Sequence, residues 1–106
     1  MPKYLIEASL TTQGVQGVQK EGGTGRRQAV SKAVESAGGT LEAFYFAFGE
    51  RDVYVIADMP DNESAAAMAL TVNASGAVAT RTVVLLTPEE VDAAAERSVD
   101  YRPPGG

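Results

Sequence analysis

From Tyr4 to Leu10 the chain alternates. Tyr4, Ile6, Ala8 and Leu10 form an apolar series, while Lys3, Leu5, Glu7 and Ser9 form a mixed one. Period-two patterning of this kind predicts a half-buried strand. The spacing then changes. Thr11-Thr12 supplies an N-cap for a helix with Val15 and Val18 on one stripe. Gly22-Gly23-Thr24-Gly25 is expected to interrupt that helix, since each glycine costs about 1 kcal/mol in a helix interior relative to alanine. Helical spacing resumes through Ala29 or Val30, then Ala33, Val34 and Ala37, with Arg27, Gln28, Ser31, Lys32 and Glu35 on the wet side. Gly38-Gly39 ends it.

Two β-rich runs follow, Leu41 to Phe48 and Val53 to Met59, joined by Gly49-Glu50-Arg51-Asp52, which reads as a hairpin with Gly49 at positive φ in the turn. Strict alternation places Glu42, Phe44, Phe46 and Phe48 on one face and Leu41, Ala43, Tyr45 and Ala47 on the other. Both faces are mostly apolar, so both need cover. Pro60 closes the second run, and Asp61 or Asn62 caps an alanine-rich helix from Ser64 to Ala74. Ser75-Gly76 stops that helix, and Val78 to Leu86 gives a fourth strand. Thr87-Pro88-Glu89-Glu90 is a capping box with proline at the first helical position, starting a last short helix to about Arg97.

The order is β-α-β-β-α-β plus a terminal helix, which predicts an α+β fold of ferredoxin-like type: a four-stranded antiparallel sheet with two helices on one face. Residues 1–98 form this domain, and 99–106, ending Pro103-Pro104-Gly105-Gly106, form a flexible tail. The uncovered sheet face should be polar in a monomer. Phe44, Phe46 and Phe48 or their alternates, with Val83 and Leu85 or Val84 and Leu86, leave it apolar. A second copy, sheet against sheet, resolves the conflict, with the hairpin aromatics as the seam of a homodimer.

Composition narrows the chemistry. The 106 residues include no cysteine and no histidine, and the net charge is −5. Thiolate chemistry, disulfides and histidine-ligated haem are excluded, and the usual general base near neutral pH is missing. No metal site and no cofactor are expected. The acidic balance opposes nucleic acid and anionic membrane as partners. No stretch approaches the roughly 20 apolar residues of a membrane span, so a cytoplasmic protein is the default.

The chain resembles the GYD-domain family from about Lys3 to Glu96. The matching segments are Lys3-Tyr4-Leu5, Glu21-Gly22-Gly23 to Arg26-Arg27, Leu41 to Gly49, Ala74-Ser75-Gly76 and Leu85 to Glu90. The family's Gly, Tyr, Asp signature is represented by Gly49 and Asp52, with Arg51 where the tyrosine is expected. The resemblance implies a dimeric α+β barrel and does not imply an activity.

Several residues are candidates for function. Gly22 to Arg27 offers helix amides backed by Arg26 and Arg27 for a carboxylate or phosphate, against a plain joint between helical pieces. Tyr45 and Tyr54 are placed to put hydroxyls in a cavity, or simply to pack. Asp52 is a candidate base or a partner for Arg51 or Arg81; turn aspartates more often bond nearby backbone. Glu42, if it shares a face with Phe44 and Phe46, is an acid beside aromatics whose pKa desolvation would raise. Arg81 is its candidate partner. Asp58 and Pro60-Asp61-Asn62-Glu63 lack the spacing of a calcium loop and read as helix capping. Three functions follow in order. The first is a homodimer binding a small acidic or aromatic metabolite, with Arg26, Arg27, Tyr45, Tyr54 and Arg81 as ligand contacts. A scaffold or regulatory dimer is second. A cofactor-independent isomerase or oxygenase-like enzyme using Glu42, Tyr45 or Asp52 is third.

Overall fold

A computed structural model describes residues 1–106. Its elements are β1 (Lys3–Leu10), α1 (Thr12–Ser36), β2 (Thr40–Phe46), β3 (Val53–Asp58), α2 (Asn62–Ala74), β4 (Val78–Leu85) and α3 (Pro88–Ala95). The strands form one antiparallel sheet in the order β2-β3-β1-β4. The predicted caps are in place. The Thr11 hydroxyl accepts from the Gly14 amide, Asp61 accepts from the Ser64 amide, and Thr87 and Glu90 close a reciprocal capping box.

One face of the sheet carries the core. Tyr4, Ile6 and Ala8 of β1 and Val53, Val55 and Ala57 of β3 are buried there, joined by Val34 of α1 and by Met59. The alternation expected for β1 therefore holds. The Tyr4 hydroxyl donates to Asn62 Oδ1 at 2.5 Å, satisfying the polar end of a ring that is otherwise enclosed. Gly39 lets the chain turn tightly over this core, because a Cβ there would lie 2.3 Å from the Asp58 carbonyl oxygen.

Three expectations change. Helix α1 does not stop across the glycines: only Gly22, at φ 81° and ψ 165°, leaves helical geometry, and Gly23 to Gly25 already belong to the next turn. One glycine is enough for the kink. In the hairpin, β2 ends at Phe46, Phe48 projects fully into solvent, and Gly49 does not take positive φ. A register shift between Leu41 and Ala43 also breaks the alternation of β2. Leu41, Phe44 and Phe46 pair with Ala57, Val55 and Val53 on the helix-covered face, whereas Ala43 and Tyr45 pair with Ile56 and Tyr54 on the other. Glu42 therefore does not share a face with Phe44 and Phe46. Phe44 and Phe46 thus lie on the helix-covered face, and their alternates Ala43 and Tyr45 on the open one.

The open face has three rows across the strands. Ala43, Ile56, Leu5 and Val83 form an apolar middle row. Tyr45, Tyr54, Glu7 and Arg81 form a polar-tipped row on one side, and Thr40, Asp58, Lys3 and Leu85 a mixed row on the other. Only 10 of the 106 residues are buried, which is few for a chain that is 44% hydrophobic. Beyond the sheet, α3 makes no extensive contact with any other element and exposes Val91. The radius of gyration is accordingly 16.8 Å, with a long axis of 56 Å. A compact domain of this length has a radius of about 13 Å.

Candidate functional site

Helices α1 and α2 lie on the same face of the sheet without extensive contact with each other: α1 packs against β2 and β1, and α2 against β4. The gap between them is a cavity of about 100 Å³ over the sheet centre. Its floor includes Ile6, Ala8, Val53 and Val55, its helix walls include Val30, Ala33, Met68 and Val72, and Phe44 lines it from β2. Eleven of its thirteen lining residues are hydrophobic, and the two polar ones are Arg26 and Thr80. This is an apolar chamber with Arg26 among its lining residues, smaller than the roughly 300–1,000 Å³ of most ligand sites.

The sequence candidates divide between this chamber and the opposite face. Arg26 lines the cavity, while Arg27 next to it lies outside it. Arg26 Nη1 lies 3.2 Å from Glu21 Oε1, an ion pair that spans the kink at Gly22. Just past the kink, Gly23 is seated against the hairpin: a Cβ on it would lie 3.1 Å from Phe46 Cε2. Phe46 in turn meets Phe44 edge to face, with centroids 5.3 Å apart. The kink, the aromatic pair and the cavity wall thus form one packed unit.

Tyr45 and Tyr54 do not enter this cavity. They pair across β2 and β3 on the open face, where Tyr45 is largely exposed. Arg81 also lies there, opposite Glu7, so within the sheet it does not meet Glu42. Glu42 instead accepts from Lys3 Nζ at 2.5 Å, and Asp58 accepts from the same ammonium at 3.0 Å. Hydrogen bonding to Glu42 first, and to Asp58 second, holds the Lys3 pKa above its ordinary 10.5. Asp52 accepts from the Leu10 amide at 2.7 Å and so pins the loop to the end of β1, while Arg51 reaches Ser9 at 3.4 Å. Asp52 thus bonds the backbone of a distant strand, not the nearby backbone expected of a turn aspartate. Asp61 caps α2, and no group of three or more acidic residues could hold a metal ion.

Glu7 is a residue that the sequence candidates miss. Its signal is its place on the mixed side of β1, but only the inter-strand register brings it between Tyr54 and Arg81.

A family model, the GYD domain, matches residues 4–95. The chain belongs to the GYD-domain family. No curated protein and no solved structure is significantly similar to it. No helix is long and apolar enough to cross a membrane.

Proposed function

We propose that the protein is a homodimeric binding module that holds a small acidic or aromatic metabolite in the chamber between α1 and α2 of each subunit. The observation that carries this reading is the cavity itself: apolar on nearly every side, with Arg26 in its wall. The carboxylates considered for catalysis, Glu42 and Asp52, do not line it and are already engaged by Lys3 and the Leu10 amide. That favours binding over an isomerase or oxygenase-like reaction.

The partner on the open face is a second copy. Strand order β2-β3-β1-β4, with α1 and α2 as the crossing connections, fits a ferredoxin-like arrangement, and pairing two such sheets gives a dimeric α+β barrel. The middle row Ala43, Ile56, Leu5 and Val83 supplies apolar area, and a two-fold axis over it can bring Glu7 of each copy towards Arg81 of the other. The unpacked α3 supports a second contact with the partner, in which its exposed Val91 is covered.

Both parts are open to test. Sedimentation velocity at micromolar concentration should give a dimer, and Val83→Lys, which places a charge in the apolar row, should give a folded monomer. A wild-type monomer would refute the assembly. Thermal-shift screening of small aliphatic and aromatic acids should find stabilising ligands, and Ala33→Phe, which fills the chamber, should abolish their effect. No shift with any compound, or an unchanged shift in the filled variant, would refute the site.

A further inference from the structure

The cavity, its single cation and the kink beside it specify more than a general binding site. Arg26 is the one charged residue in the wall, and within the chain its partner is Glu21. Glu21 is not in the wall. It sits on the other side of Gly22, whose φ of 81° and ψ of 165° fall in a region essentially reserved for glycine. The stem of Glu21 lies beside Gly25, where a Cβ would be 3.6 Å from Glu21 Cβ. A methyl group placed on Gly22 would meet nothing within 4 Å, so the joint carrying Glu21 is not wedged by neighbouring side chains. Both charged groups are about one-third exposed, so exchanging one carboxylate for another at Arg26 does not require opening the core.

We infer that Glu21 is a built-in competitor for the site: the ligand is a short aliphatic monocarboxylate whose carboxylate displaces Glu21 from Arg26 while its chain enters the chamber. This rests on the binding reading above and specifies its ligand. The size follows from the chamber. A dry engineered cavity of about 150 Å³ admits benzene, and this one is about 100 Å³. A volume of this size accommodates a chain of about four or five carbons. The head group follows from Arg26, whose planar fork matches a carboxylate in two parallel hydrogen bonds. An ion pair exposed to this degree contributes little to stability. Displacing it is therefore cheap, and its main effect is to discount the affinity of anionic ligands relative to neutral ones.

The test compares hexanoate with hexanamide, which share a chain and differ in charge, by amide NMR titration of the full-length protein. Hexanoate should bind at least about 10-fold more tightly than hexanamide. Arg26→Gln should remove that preference. Glu21→Gln should tighten hexanoate by up to about five-fold and leave hexanamide unchanged. If both compounds bind in the chamber with equal affinity, or Glu21→Gln affects both alike, the carboxylate competition is overturned while the binding site stands. If neither perturbs the cavity residues, this inference fails, and the broader reading is then decided by the screen of other acids.

Discussion

Gly14 and Gly17 lie three residues apart in the first half of α1, and the same substitution at each should act with opposite sign. A Cβ on Gly14 would lie 2.1 Å from the Ala77 carbonyl oxygen, whereas one on Gly17 would meet nothing within 4 Å. Gly14→Ala must therefore open the crossing between α1 and the start of β4 until that contact reaches at least 3.0 Å. The Ala77 oxygen already accepts from the Thr11 amide at 3.0 Å and the Thr11 hydroxyl at 3.2 Å, so the opening also strains the cap of α1. Overpacking costs about 1–3 kcal/mol, and each strained hydrogen bond puts about 0.5–1.5 kcal/mol at risk. The better helix propensity of alanine returns about 0.5–1 kcal/mol. The balance is a loss of about 3 kcal/mol within a range of about 1–5, the central value being about 12–24 °C in Tm for a domain of this size. Gly17→Ala keeps only the propensity gain and should stabilise by about 0.5–1 kcal/mol. Urea unfolding followed by circular dichroism, at one fixed protein concentration because assembly adds to apparent stability, separates the two. A Gly14→Ala protein within about 0.5 kcal/mol of wild type would refute the argument from close approach.

Two further outcomes are expected. Gly22→Ala should cost about 1–3 kcal/mol in the same assay, because its backbone conformation strains any residue with a Cβ even though space is available; a neutral effect would mean that the kink relaxes freely. The Ser64 amide holds the Asp61 pKa below its ordinary 3.8, and the Thr87 amide holds that of Glu90 below 4.5. Both folded values are depressed, so the caps contribute fully above the ordinary values and are lost as pH falls through the lowered ones. Carboxyl NMR titration should place both midpoints below 3.8 and 4.5 respectively, and Asp61→Asn should keep the α2 cap while removing its pH dependence. An Asp61 midpoint at or above 3.8 would contradict the cap.

What can be read from the sequence is what depends on near neighbours. Thr11, Asp61 and Thr87 begin helices because each satisfies an amide three residues on, and Gly38 and Gly76 follow helix ends at φ of 90° and 77°. The buried series Tyr4, Ile6 and Ala8 is legible for the same reason. The bulge at Glu42 is not: one extra residue in a strand leaves no mark in the alternation until the partner's register is known. That single slip sends Phe44 and Phe46 to the helix side and Glu42 to Lys3. Both rings thereby lie on the helix side, where Phe44 lines the cavity. Arg26 stands out in the sequence through its place after a glycine run. Its structural setting is instead a cavity wall, made by two helices that stand apart, which no local pattern encodes.

Helix α3 has a complete capping box and acidic residues in its first turn, yet it spans only eight residues and makes no extensive contact with the other elements. Isolated helices shorter than about 12–15 residues are marginal in water. Its order is therefore linked to whatever covers it, and with a second copy as that cover the linkage runs through mass action. Dilution would then melt α3 before it unfolds the sheet. The loss of about a sixth of the helical ellipticity at 222 nm on dilution, with the core amides still protected, would report the monomer–dimer equilibrium from within the chain, since α3 holds 8 of the 46 helical residues.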